Sequence, residues 1–276
     1  MDPNLDLLED DDEEQVVDWL CSLSLAQLFR TFWIDWITSL VLLILSSVMY
    51  RYGDHHERFK MPADTSLQYP YRDDTISKVE LLILVLLVPI LTSIGIQVIL
   101  QCRYHDWPLF VDFHHFCLGL IQAFALQELV TTSVKHAVGR FRPSADARIE
   151  QSIGNYNESY PSGHAASAFS SGVYMSLYLA GKFGLFRSSG LFLPVDSKVK
   201  SVSSFPRTMV VLIPVFIATG VLVSRLNDYA PDFSDVNAGA AIGAVAAGIS
   251  YSLVYPSLGH RSCNLPTPLS SRLPFN

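Results

Sequence analysis

Charge is scarce in this chain. Asp, Glu, Lys and Arg make up 16% of its 276 residues, and half of the residues are hydrophobic. Water-soluble domains of this length carry about a quarter charged residues, so the deficit argues against a soluble globular domain and for a chain mostly solvated by lipid. Cysteine is sparse as well. Cys21, Cys102, Cys117 and Cys263 show no paired or metal-type spacing, which argues against a disulfide framework or a zinc site. Cationic residues are absent from the first fourteen positions, where eight acids (Asp2, Asp6, Glu9, Asp10, Asp11, Asp12, Glu13, Glu14) account for more than the whole net charge of -7. That run lacks both apolar periodicity and the basic start of a secretory signal, so it reads as a solvated tail and not as a cleaved leader. Nothing in the charge pattern points to nucleic acid.

What is abundant is long apolar sequence. Crossing a bilayer takes about 20 mostly apolar helical residues, and six stretches approach this, near 32–50, 79–101, 114–134, 164–182, 208–224 and 236–255. The expected architecture is therefore all-α, a polytopic membrane protein with a bundle of six transmembrane helices over 32–255. Residues 1–31 would be an acidic tail followed by an interfacial amphipathic helix in VVDWLCSLSLAQLF, and 256–276 a proline-rich tail. Pro89 is expected to kink the second span. Gln122, Gln127 and Glu128 in the third would be costly against lipid and should face the bundle interior. Gly239 and Gly243, four apart in NAGAAIGAVAAG, suit close helix packing; no strand precedes them, so a dinucleotide loop is a poor reading. The pairs His55–His56 and His114–His115 are adjacent in sequence and point apart, with no third ligand at useful spacing, so no metal site is expected.

Three loops share one face by parity: those after the first, third and fifth spans. Chemistry-bearing residues collect there. KHAVGRFRP (135–143) ends the third span, YPSGH (160–164) opens the fourth, and SRLNDYAPDFSDV (224–236) joins the fifth to the sixth. Lys135, Arg142 and Arg225 are three cations with few acids among them, and guanidinium forks match phosphate geometry. Pro161-Ser162-Gly163 leads into a helix whose first amides, those of Ser162 and Gly163, should face outward as an anion site. His164 beside them titrates near neutrality and can protonate a departing alkoxide. Any one such cation could be a residue snorkelling to lipid headgroups; three with an amide nest and a histidine favour a site. Lysine and arginine counts do not orient the bundle. The triplet Asn157-Glu158-Ser159 is an N-glycosylation acceptor and hints at a lumenal or extracellular face of an endomembrane or plasma membrane.

Lys135–Pro143 as K-x6-RP, Pro161–His164 as PSGH, and Ser224, Arg225 and Asp235 as SR…D together resemble the signature of the lipid phosphate phosphatases, in the type-2 phosphatidic acid phosphatase superfamily, which includes vanadium haloperoxidases. The likeness covers about residues 66–255, including YPYRDDTIS. It implies that Lys135, Arg142 and Arg225, with Ser162 and the Gly163 amide, hold the phosphate; that His164 protonates the leaving alcohol; and that Asp235 orients a nucleophilic histidine forming a phosphohistidine, with no metal or other cofactor.

One residue departs from that pattern. The family spaces SR, five residues, histidine, three residues, aspartate; here the histidine position holds Pro231, which has no nucleophilic atom. Asp232, one position on, would be re-aimed and would repel phosphate; His136 should point away. Asp235, without imidazole, is expected to pair with one of the arginines and so weaken phosphate binding. The expectation is a membrane protein that recognises a lipid phosphomonoester (phosphatidate, lysophosphatidate, diacylglycerol pyrophosphate or a sphingoid-base phosphate) with hydrolysis impaired or absent. The alternatives are an active phosphatase using a rearranged site or direct attack by water, and a transporter or structural bundle.

Overall fold

The computed structural model describes residues 24–54, 56, 58–61, 64–103, 108–186, 204–260 and 263–267. The acidic run, Cys21, His55 and the end of the C-terminal segment lie outside the described residues. Among the described residues every regular element is helical. We label them α1 (Leu25–Tyr52), α2 (Lys78–Leu82, a π-helical turn Ile83–Leu87, then Val88–Arg103), α3 (Leu109–Val138), α4 (Ala145–Glu150), α5 (Gly163–Lys182), α6 (Ser204–Asn227) and α7 (Phe233–Val254).

Local chemistry sets the ends. Capping boxes open three helices: Ser24 with Gln27, Ser77 with Glu80, and Asp232 with Asp235, each satisfying two amides that have no partner within the helix. Gly139 ends α3 in the left-handed region at φ 54°, its amide bonding the Lys135 carbonyl at 3.0 Å. Only glycine adopts that turn cheaply, and it folds the following arginines back over the helix end.

At Pro89, where a kink is expected, the structure shows a change of hydrogen-bonding pattern. Lacking an N–H, Pro89 cannot bond the Val85 carbonyl one turn back. The preceding turn widens to π geometry, and Ser171 of α5 donates to that same carbonyl at 2.7 Å.

The centre of the bundle is α5, which packs against α3, α6, α7 and the π turn of α2; α1 rides on α3. Five helices (α1, α2, α3, α6, α7) are long and apolar enough to cross a membrane. The expected fourth span, α5, has the length, about 30 Å at 1.5 Å per residue, but is less apolar. Its neighbours explain this: Ser167, Ser170, Ser171, Ser176 and Lys182 are all buried against other helices, so little of α5 has to satisfy lipid.

Gly239 and Gly243 do what their spacing suggested. A Cβ on Gly239 would overlap the Ser162 carbonyl oxygen, and one on Gly243 the Ala166 carbonyl oxygen, so α7 lies directly on the first turns of α5. At the other end of α5, Lys182 and Asp112 form an ion pair at 2.7 Å, both essentially solvent-free. Gln97, Tyr178 (3.2 Å) and Tyr255 (2.9 Å) donate to the same carboxylate, and Lys182 also reaches the Asn264 carbonyl. Cys263 and Leu265 are buried there, so this part of the C-terminal segment is docked on the bundle.

Gly243→Val should cost about 1–3 kcal/mol by overpacking and lower the thermal unfolding midpoint in detergent. Val245→Ala, on the exposed face of the same helix, should leave it nearly unchanged.

Candidate functional site

Backbone pairing beyond Gly139 assembles the first two clusters. The Arg142 amide donates to Tyr156 (2.8 Å) and the Ser159 amide to Arg140 (3.0 Å), laying the RFRP segment beside the lead-in to α5. The Tyr160–Pro161 bond is cis, and Ser162 caps α5, its hydroxyl accepting from Ala165 at 3.4 Å. The third cluster arrives through Tyr229, held at φ 52°, a costly conformation for an aromatic residue. Its ring stacks on Tyr69 at 5.1 Å and lies 4.9 Å under the Arg72 guanidinium.

These connections create a cavity of about 330 Å³ at the end of the bundle where α1, α3 and α6 finish and α2, α5 and α7 begin. Lys135, Arg142, Ser162, Gly163, His164 and Arg225 all line it, and so does Pro231, which is buried. Tyr50, Asp74 and Lys78 come from the α1–α2 side. The three loops assigned to one face by parity therefore do meet.

Each residue has a definite setting. Lys135 Nζ donates to the Glu158 carbonyl at 2.8 Å. Arg142 Nε is buried with no hydrogen-bond partner; burial pushes the guanidinium down to about 10, and Arg148 and Arg225 add like-charge repulsion. His164 Nε2 lies 3.2 Å from the Ile76 carbonyl. A carbonyl only accepts, so Nε2 carries the proton and Nδ1 is the nitrogen left for chemistry. A Cβ on Gly163 would meet only Lys135 Cε at 3.9 Å, so there is open space at this point of the cavity wall.

Three expectations need correction. The Ser162 amide does not face the cavity, because it donates to the Asp235 carbonyl at 2.9 Å. Acids are not few: Asp74, Glu128 and Glu158 line the cavity with five cations, Lys78, Lys135, Arg142, Arg148 and Arg225. Asp235 pairs with an arginine, but with Arg140 (2.7 Å), outside the cavity lining. Asp235 is fully buried and also accepts from Ser159 Oγ (2.5 Å) and the Asp232 amide (2.9 Å). Asp232 caps α7, binds Arg140 at 2.7 Å and is absent from the cavity wall. His136 too lies outside it; its carbonyl accepts from His56. Asn157 is half-buried, and the Ser159 hydroxyl of its triplet is the one bonded to Asp235.

Residues 116–258 match the PAP2 superfamily. A PA-phosphatase related-family protein of Dictyostelium discoideum is 31% identical over 244 residues, covering 84% of this chain and 83% of the relative. The chain belongs to the PAP2 superfamily. Lipid phosphate phosphatase 1 of Arabidopsis thaliana is 27% identical over 82% of this chain and 69% of its own length. Diacylglycerol pyrophosphate phosphatase 1 of Saccharomyces cerevisiae is 26% identical over 86% and 80%. No solved structure matches.

In this PAP2 member, the sequence reading missed Asp74, Arg148, Glu128 and Glu158. Asp74 sits in YPYRDDTIS, a segment counted in the likeness but given no role, and its carboxylate meets Arg225 at 2.8 Å. Asp228, bonded by the Thr75 amide at 2.9 Å, meets Arg225 at 3.3 Å. Arg148 is buried, tied to Ser144 Oγ at 3.2 Å and stacked 4.8 Å from the Tyr71 ring. The pair His114–His115 has structural partners: Trp36 donates to His114 at 3.0 Å, and His115 Nδ1 lies 2.7 Å from the Val111 carbonyl.

Arg225 is thus held by two carboxylates, with which any anion approaching it would compete. Burial raises the Asp74 carboxyl, but Arg225 outweighs it and holds the group below its ordinary value. Asp74 stays ionised at neutral pH, and its attraction to Arg225 is lost only as pH falls through that lowered pKa. Asp74→Asn should tighten inorganic phosphate binding about threefold to tenfold, by removal of one negative charge beside the anion. The gain should be constant from neutral to mildly acidic pH in equilibrium binding.

Proposed function

We propose that the protein binds lipid phosphomonoesters at a membrane boundary and turns them over poorly or not at all. The observation that carries this is the gathering of Lys135, Arg142, Ser162, Gly163, His164, Arg225 and Pro231 on one cavity wall. Lys135, Arg142 and Arg225 hold the phosphate oxygens with the Gly163 amide, and His164 faces the leaving oxygen. The acyl chains remain between helices in the bilayer. On this reading the substrate class is phosphatidate, lysophosphatidate, diacylglycerol pyrophosphate or a sphingoid-base phosphate. The names of the relatives support the class without choosing a member.

What is lost is the covalent route. With Pro231 at the nucleophile position, no imidazole forms a phosphohistidine, and Asp235 has no ring to orient. Removing one member of such a unit can cost on the order of a million-fold in turnover. The two nearby carboxylates do not substitute, since Asp232 and Asp235 are both taken up by Arg140. Water attacking phosphorus directly would use the same cradle and His164 but would lack the nucleophile. The cavity face is read as lumenal or extracellular, with the Asn157 triplet as the supporting feature; the Ser159 hydroxyl gives that triplet a structural use as well.

The test is phosphate release from phosphatidate by the detergent-purified protein, beside Pro231→His and the double variant Pro231→His/His164→Ala. The parent should release almost none, Pro231→His should gain at least about a hundredfold, and the double variant should lose that gain. Robust release by the parent would overturn the reading. A parent that neither binds nor releases phosphate would remove the cradle itself.

A further inference from the structure

We infer that Glu128 forms a second subsite in the same cavity, accepting a hydroxyl or ammonium group on the lipid carbon next to the phosphorylated one. This rests on the lipid-phosphate reading above and narrows it.

An ionisable side chain inside a membrane-spanning helix is costly, and its retention asks for a partner. Glu128 is on α3 seven residues before Lys135, so it lies on the same face about two turns, roughly 10 Å, deeper along the axis. Both line the cavity. Glu128 Oε1 accepts from Gln127 Nε2 at 3.0 Å and from Ser167 Oγ at 3.3 Å, and Gln127, itself fully buried, also donates to Ser167 at 3.2 Å. These bonds fix the carboxylate between α3 and α5. Its second oxygen, Oε2, has no hydrogen-bond partner among the described residues.

The wall around it is largely apolar, with Leu81, Leu82 and Val85 from α2 and Phe124 one turn deeper on α3, interrupted by the hydroxyls of Thr131, Thr132 and Ser167. The cavity therefore has a cationic mouth and, below it, one carboxylate set in a greasy surround. A ligand filling that lower part with ester groups brings acceptors only and gives Oε2 no donor, leaving the charge served by Gln127 and Ser167 alone. A ligand with a hydroxyl or ammonium there satisfies it, and a bond to a charged group is worth about twice a neutral one. The carbon next to the phosphorylated one carries a hydroxyl in lysophosphatidate, an ammonium in a sphingoid-base phosphate and an ester in phosphatidate. The shared chemistry is the donor, and the ammonium is the stronger form.

The experiment is equilibrium binding of these three lipids, matched in chain length, to the full chain in detergent, for the parent and Glu128→Gln. Glutamine keeps the shape and an acceptor for Ser167 while removing the charge. The parent should rank sphingoid-base phosphate above lysophosphatidate above phosphatidate. Glu128→Gln should lose about tenfold for the ammonium lipid, less for the hydroxyl lipid, and nothing for phosphatidate. An equal loss for all three, or none, would mean that Glu128 only braces α3 against α5 and would overturn the inference. If the parent binds all three alike, the lipid-phosphate reading stands and this inference falls; if it binds none, both fall. Should the variant not fold, the ranking by the parent decides alone.

Discussion

The buried carboxylate of Asp235 is the tie on which the cavity end depends. A fully desolvated charge is expensive unless it is paired and hydrogen-bonded on all sides. Here the partners come from three separate chain segments: Arg140 beyond α3, Ser159 before α5, and the Asp232 amide at the start of α7, while the Ser162 amide donates to the backbone carbonyl of Asp235. Satisfying one charge therefore sets the relative position of the elements that bring the phosphate-type residues together. Gly239 and Gly243 work in the same place, letting α7 approach the first turns of α5 closely enough for these bonds to form. The role is architectural, and it accounts for Asp235 without any reference to a nucleophile.

That arrangement also decides which cations remain for a ligand. Asp235 engages Arg140, and among the described residues neither Lys135 nor Arg142 forms an ion pair with a carboxylate. Arg225 is the compromised member, with Asp74 and Asp228 both in reach. Burial first, and then repulsion from Arg148 and Arg225, weakens the hold of Arg142 on its proton, and an anion beside these groups would offset both effects. On the proposed reading, recognition and covalent chemistry separate physically: the cationic side chains do not depend on position 231, whereas a histidine nucleophile would occupy it.

Much of this was legible beforehand, because apolar runs report which residues meet lipid, and parity then assigns each loop to a face. The three clusters carried their chemistry in contiguous residues. The misreadings share one cause, which is that a local pattern does not disclose a distant partner. Nothing near Ser162 indicates that its amide is taken by a carbonyl 73 positions on (235 − 162). Nothing near Thr75 indicates Asp228, 153 residues away. The weak hydropathy of α5 reads as a poor span until the surrounding helices are seen to cover it. Arg148 belongs to a short helix inside a connecting loop, a place where periodicity carries almost no signal.

The two ends of the bundle show how similar residues reach opposite outcomes. At one end, Asp112 faces one lysine, two tyrosine hydroxyls and a glutamine amide, and the lysine also donates to the Asn264 carbonyl. Charges there match one to one, so the cluster acts as a fastening for α2, α3, α5 and the C-terminal segment. At the other end, five cations face three acids and a buried arginine nitrogen has no hydrogen-bond partner. Buried polar groups are normally satisfied, and an unsatisfied one calls for an explanation. Matching within the protein accounts for the first set, whereas the second set holds more cations than the acids lining it can offset. That contrast, more than the presence of charge in a membrane bundle, is why only one of the two clusters is read as a binding site.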